Sequence, residues 1–316
     1  MDQTLLSSRA IMGMYFARLE ANPGAMWIGD VSNLFNSDQE SETYRWIGQT
    51  PVMREWIGGR QAKGFSGQGI TVVNKHYEAT VEIRKKDARR DKTGQLQVRM
   101  AELADRGTTH WASLLSTLLL NAPSTAAYDG QFFFDTDHSE GDSGSQSNDI
   151  TVDISAMPAS THGTTTAPSK EEMQWAILSA VMAMAGFKDD RGEPMNEGAR
   201  SFTVLVPLAL YPAAAAAVNS IMNAALPQDM NPNMVADFTI KVVPIVRLTW
   251  TDSFAVVRTD GPVKPFIRQT EQEQELKAKA EGSEFEFDND AWQFGIDAWR
   301  GAGYGHWQYA CYVTLI

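Results

Sequence analysis

Apolar residues recur at helical spacing in four stretches of the chain. The clearest is 95–121, where Leu96, Met100, Leu103, Gly107, Trp111, Leu114 and Leu118 step by three or four. Thr93-Gly94 opens this helix and Asn121-Ala122-Pro123 closes it. At 1.5 Å per residue it spans roughly 40 Å, long for a globular helix and suited to a structural spine. Residues 3–20 predict a second helix, with Leu6, Ala10, Met14 and Leu19 near one face, ended by Asn22-Pro23-Gly24. By itself this segment reads as a helix docked on its own core, ahead of an arm laid on a neighbouring subunit. Residues 171–186 predict a third, carrying Met173, Ile177, Ala180, Val181 and Met184. Pro212–Leu226 predicts an alanine-rich fourth that begins on proline.

Strand patterns lie between the helices. Residues 44–86 read as β, with Ile70–Val73 and Tyr77–Arg84 showing β-branched content and alternation. Gly58 to Gly69 places five glycines in twelve residues, a composition that builds no packed core and suits the tip of a long hairpin. Phe202–Val206, stopped by Pro207, and Phe238–Val246 predict strands in an α/β middle. Residues 135–169 are poor in large apolar side chains and read as a long loop; 271–281 read as a charged helix or linker. The tail from Ala291 is aromatic and strand-like.

Charge sharpens the hairpin. Residues 41–92 hold eleven Lys/Arg against six Asp/Glu, a local +5 in a chain whose net charge is −12. A basic hairpin on an acidic protein points to docking on an acidic surface, and 271–297 offers one, with nine Asp/Glu against two Lys. The overall negative balance disfavours general DNA binding. A single cysteine, Cys311, excludes an internal disulfide framework. No targeting or membrane segment is evident, and the composition reads as soluble, acidic and intracellular.

Candidate chemistry is thin. Gly141-Asp142-Ser143-Gly144 matches the letters around a serine-protease nucleophile, with His76, His110 and His138 upstream, but it lies in a Ser/Gly/Asp-rich loop. Asp135, Asp137, His138, Glu140 and Asp142 crowd together, yet the EF-hand pattern fails at Glu140 and Gln146; a solvated acidic loop accounts for them better, and whether an ion binds Asp135, Asp137 and Asp142 stays open. Gly301-Ala-Gly303-Tyr-Gly305 lacks the spacing of a dinucleotide loop. No catalytic residue, metal site or cofactor is predicted.

The order of elements resembles the HK97-type viral capsid fold, an α+β architecture. The wording is closer still. Tyr44-Arg-Trp-Ile-Gly, Val73-Asn-Lys-His-Tyr-Glu-Ala-Thr, Tyr128-Asp-Gly-Gln-Phe-Phe-Phe with His138, Lys188-Asp-Asp-Arg-Gly-Glu-Pro, Val206-Pro-Leu-Ala-Leu, Asn231-Pro-Asn, and Phe294-Gly-Ile with Arg300-Gly-Ala-Gly-Tyr-Gly-His-Trp-Gln are similar to the Mu-like phage major head subunit family.

That resemblance implies a shell protein, not an enzyme. It implies an N-terminal arm (1–40), an extended hairpin or E-loop (41–92), the spine helix of a peripheral P domain (93–125), a mainly axial A domain (126–262) with its long loop at 135–169, and a return to P-domain strands (263–316). The implied partners are copies of the chain in hexamers and pentamers, a portal, packaged double-stranded DNA met without sequence-specific contact, and a decoration protein where one is used. No membrane is implied. The hairpin begins near residue 44, which leaves no room for a fused scaffold, so a scaffolding protein and any maturation protease are expected to be separate. Expected inter-subunit contacts are Arg54, Trp56, Arg60, Lys63 and Phe65 on the hairpin, and Glu284, Asp288 and Asp290 on the acidic side. Lys63 has no marked asparagine partner, so assembly is expected to be noncovalent. The implied location is the virion, assembled in the cytoplasm of a bacterial host. An encapsulin-like nanocompartment shares the fold and is the alternative. A hydrolase working through the 135–143 loop is the alternative of a different class.

Overall fold

The computed structural model describes residues 7–22, 24–45, 69–91, 93–223 and 238–316. The chain opens with helix α1 (Ser8–Ala21), whose first turn is capped by the Ser7 hydroxyl accepting from the Ala10 N–H. A short α2 (Trp27–Val31) runs into strand β1 (Ser32–Asn36). Strands β2 (Ser41–Tyr44) and β3 (Ile70–Val73) pair antiparallel, Ser41 opposite Val73 and Tyr44 opposite Ile70, and form the root of the hairpin. The expected tip, with Arg54, Trp56, Arg60, Lys63 and Phe65, lies outside the described residues. Strand β4 (Lys75–Arg84) and helix α3 (Lys85–Arg90) lead to the spine helix α4, which runs over Gln95–Asn121 as the periodicity predicts. The Asp91 carboxylate accepts from the Gln95 and Leu96 N–H groups and so satisfies the helix start.

The segment read as a long solvated loop is more ordered than its composition suggests. It contains β5 (His138–Ser139), β6 (Ser145–Gln146) and β7 (Asp149–Val152), and its His138 and Asn148 are fully buried. Helix α5 (Lys170–Ala185) starts on a capping box between Ser169 and Glu172. There follow β8 (Ser201–Val206), α6 (Tyr211–Asn223), β9 (Thr239–Pro244) and β10 (Ser253–Arg258). Strand β11 (Phe266–Lys279), helix α7 (Glu284–Asn289), strand β12 (Ala291–Tyr304) and strand β13 (Ala310–Leu315) complete the chain. The reading of 271–281 as helix or linker is therefore corrected to strand. Glu273, Glu275 and Lys277 are exposed while Gln272, Gln274 and Leu276 are half-buried. That alternation has the two-residue period of a sheet, and the apolar cover comes from β12.

Two sheets organise the molecule. The first has the order β1-β11-β12-β4, and the second the order β7-β13-β10-β8-β9. The last strand, expected beside the spine helix's sheet with the rest of 263–316, instead pairs antiparallel with β10 and parallel with β7 in the second sheet. Helix α4 serves both halves. Leu96, Met100, Leu103 and Ala104 pack with Ile11, Tyr15, Trp292 and Phe294 in one core. Leu115 and Leu119 pack with Phe133, Phe266, Val256 and Trp307 in the larger one. Helix α1 lies on the α4 of its own chain, where Arg18 meets Asp105 at 2.8 Å, in agreement with the first reading of residues 3–20.

Candidate assembly surfaces

Strand β3 crosses β12 at two glycines. A Cβ on Gly301 would stand 2.7 Å from the Val73 carbonyl oxygen, and a Cβ on Gly303 would meet the Val72 side chain. The glycine run that failed as a dinucleotide loop thus has a packing role: it makes a notch that seats the hairpin root on the first sheet. Tyr44 strengthens the seat by donating its hydroxyl to the Gln269 side chain at 2.8 Å, and burial pushes its own pKa up to about 12. The β2–β3 pair is therefore held in a fixed place on the first sheet.

The acidic side is built at the turn between β11 and β12. Ser283 caps α7 by accepting from the Glu286 N–H. Glu286 is pinned by Lys85 at 2.9 Å and accepts from the Gly282 N–H and the Trp292 indole. These partners, Lys85 first, hold its carboxyl at a pKa of about 2. The helix ends where Asp290 turns left-handed at φ 47°, with its carboxylate 3.8 Å from Lys85. Glu284, Phe287 and Asp288 stand at i, i+3 and i+4 and share a helix face. Phe287 is 90% exposed, and both carboxylates are exposed as well. The expected contact residues Glu284, Asp288 and Asp290 are thus brought to one rigid, solvent-facing tip.

The loop tested for hydrolytic chemistry forms something else. His138 stacks on Trp307 with ring centroids 3.9 Å apart. Its Nδ1 lies 2.6 Å from Asp129 and its Nε2 3.1 Å from Asn148. The Ser143 hydroxyl accepts from the Glu140 N–H and donates to the Gly144 carbonyl. Both ring nitrogens of His138 are turned to other partners, so Ser143, His138 and Asp129 do not assemble as a triad. Asn148 is the hub. Its Nδ2 donates to the Phe133 carbonyl at 2.8 Å, and its Oδ1 accepts from the Asp135 N–H at 2.9 Å. The solvated-loop reading is corrected accordingly: Asp129, His138 and Asn148 staple the loop to the larger core. Asp135 accepts from the Phe132 and Thr136 N–H groups. Among the described residues no group of three or more His, Cys, Asp or Glu is placed to hold a metal ion. Among them, too, no helix is long and apolar enough to cross a membrane.

Sequence reasoning missed the Asn148 hub because its partners are scattered along the chain. It missed the significance of Arg300 for the same reason. That guanidinium is 4% exposed, donates to the Gly107 carbonyl, and lies 4.9 Å over the Trp111 ring.

Comparison with known proteins gives this geometry a context. The architecture matches the subunit of the procapsid of bacteriophage JBD30 with a TM-score of 0.55, at 21% identity, over 96% of this chain and 72% of that one. This likeness establishes an HK97-type fold. In sequence, the chain is 36% identical over 112 residues to the Mu-like prophage FluMu major head subunit of Haemophilus influenzae, covering 35% of this chain and 36% of that protein. It is 32% identical over 108 residues to the major capsid protein of Escherichia phage Mu, covering 34% and 35% of the two chains. The alignments thus span about a third of the length of these relatives. The family model of the Mu-like prophage major head subunit gpT reaches further, matching residues 12–158 and 248–314. Those two stretches contain the hairpin root, the spine helix, the His138 staple, the α7 tip and the glycine notch, and on that match the chain belongs to the Mu-like prophage major head subunit family.

Proposed function

We propose that this chain is the major capsid protein of a tailed phage or prophage. It assembles into the hexamers and pentamers of an icosahedral shell around double-stranded DNA. The observation that carries the reading is the family match over both halves of the fold. In this reading residues 1–40 are the arm, 41–92 the E-loop, 93–125 the spine, 126–262 mainly the A domain, and 263–304 the P-domain strands. Strand β13 is counted with the second sheet.

Assembly follows from surface chemistry. On the outer face of the first sheet, Glu78 of β4 and Glu275 of β11 stand on either side of Asp297 of β12, and Glu82 of β4 lies opposite Gln293 further along. This face offers carboxylates to a basic hairpin carrying Arg54, Arg60 and Lys63, with Trp56 and Phe65 adding apolar contact. Glu284, Asp288 and Asp290 add a second contact at the α7 tip. Several modest contacts per subunit close a shell through multivalency. A scaffolding protein, a portal and, where they are used, a maturation protease and a decoration protein are further partners, and DNA is enclosed without base readout.

The test is negative-stain electron microscopy with size-exclusion chromatography over a range of subunit concentrations. Closed shells, or capsomers that close when a scaffolding protein is added, are expected. A monomer under all of these conditions would overturn the reading.

A further inference from the structure

A cleft of about 320 Å³ opens between α4 and the first sheet, at the mid-length of the spine helix. The alternation of the strands decides what faces it. Tyr77 and Ala79 of β4 and Ile296 of β12 are half-buried or buried on the α4 side and form apolar walls. Glu78 and Asp297 also border the cleft, but their carboxylates are engaged elsewhere: Glu78 accepts from Thr80 two residues along its strand, and Asp297 pairs with Lys277 at 2.6 Å. The charged side chains left for the cleft are Arg106, Arg247 and Arg300, with His110 beside them.

Arg300 supplies the sharpest observation. It is 4% exposed, and its buried Nε has no hydrogen-bond partner. Glu273 acts on it through space. However, among the described residues no carboxylate comes within ion-pair distance of Arg106, Arg247 or Arg300. Burial, reinforced by the Arg300 and Arg247 charges, lowers the pKa of His110. A desolvated guanidinium with no carboxylate in contact is costly and is normally paired. The cleft therefore calls for a carboxylate carried on an apolar side-chain surface. At the lower end of ligand-sized pockets, it holds a side-chain cluster better than a length of chain.

The α7 tip has the complementary chemistry: Phe287 90% exposed, with Glu284 and Asp288 on the same face. A chain cannot fill its own cleft with this tip. Seven residue steps along strand β12 separate Ala298 in the cleft from Ala291 at the foot of α7, roughly 23 Å at strand rise. We propose that the cleft receives the α7 tip of a second copy of this chain. Phe287 enters between the apolar walls, and Glu284 and Asp288 meet Arg300, Arg247 and Arg106. This inference rests on the shell reading and deepens it by naming the two surfaces that meet.

The experiment is a charge swap read by assembly. Glu284→Lys with Asp288→Lys alters only exposed side chains, and circular dichroism of the unassembled subunit is expected to be unchanged. The subunit concentration needed for shell formation, followed by sedimentation, is expected to rise about tenfold or more, as for a like-charge contact. Adding Arg106→Glu and Arg247→Glu is expected to restore assembly to within about threefold of the wild type. Wild-type protein that forms no shells defeats the shell reading itself. Wild-type shells together with tip variants that assemble normally, or a swap that restores nothing, overturn the docking alone. A duplex DNA fragment bound by the unassembled subunit through Arg106 and Arg247, with tip variants assembling normally, would assign the cleft to phosphate and also overturn it.

Discussion

Asn148 offers the sharpest quantitative test of the buried staple. The residue is 0% exposed. Its side chain joins the Phe133 carbonyl, the Asp135 N–H and His138 at 2.8, 2.9 and 3.1 Å. Weaker approaches to the Trp307 and Ala310 carbonyls lie at 3.4 and 3.3 Å. Asn148→Ala deletes the amide and leaves at least three of these buried groups without a partner. Each group costs about 1–3 kcal/mol if left unsatisfied, so the expected loss is about 3–5 kcal/mol. That is above the common range for single substitutions. Asn148→Asp keeps the shape but turns a carboxylate oxygen toward the Phe133 carbonyl, and is expected to lose a similar amount. The assay is urea unfolding of the unassembled subunit followed by tryptophan fluorescence, to which the buried Trp307 contributes. Ser147→Ala, one residue away and half-buried, is expected to cost about 1 kcal/mol from its bond to the Asp149 carbonyl. A loss below about 1 kcal/mol for Asn148→Ala would refute the reasoning, since the amide would then not be the hub that its distances indicate.

Three further outcomes are expected. Burial lowers the pKa of His306 from 6.5 to about 4, so the unfolded chain binds the proton first and stability falls as pH drops from 6.5 toward 4. The contribution is at most about 3 kcal/mol, and comparing urea midpoints of wild type and His306→Asn across that window isolates it. Gly301→Ala forces a Cβ against the backbone of Val73 and is expected to cost about 1–3 kcal/mol, read as a fall in Tm. Charge reversal of Arg54, Arg60 and Lys63 together is expected to abolish shells while leaving the circular dichroism of the subunit unchanged; normal shells from that variant would remove the hairpin from the account of assembly.

What could be read in advance follows the range of the interactions. Helix α4 declares itself because its apolar positions repeat within one turn, and strand β8 because five consecutive residues are buried. Strand β11 hides because Glu-Gln-Glu-Gln-Glu shows polar letters on both faces. Its burial is set by the aromatic β12, which the chain reaches only after α7. The His138 staple hides for a related reason. Asp129, His138 and Asn148 lie within twenty residues of one another, yet the stacking partner Trp307 lies 159 residues beyond Asn148. Acidic letters in a glycine-rich run look solvated until that ring is placed over them. Glu284, Asp288 and Asp290 were legible as an acidic group, but not as an exposed helix face. The cleft was not legible at all, because its four cationic or ionisable side chains come from α4, β12 and the turn after β9.

The spine helix has a mechanical meaning that its role in packing does not express. Its first half is embedded in one core and its second half in the other, so it works as an axle fixed at both ends. The chain also passes between the two sheets at 259–265 and at 305–309, and these two connections are tied together where the Gly305 N–H donates to the Pro265 carbonyl at 2.7 Å. A rotation of one sheet against the other must therefore bend the helix and shear this paired crossing at once. Both resist, so a torque applied at the hairpin root is carried to the far sheet as a rigid turn of the whole subunit. In the proposed shell, differences in curvature between neighbours would then fall on the contacts between copies.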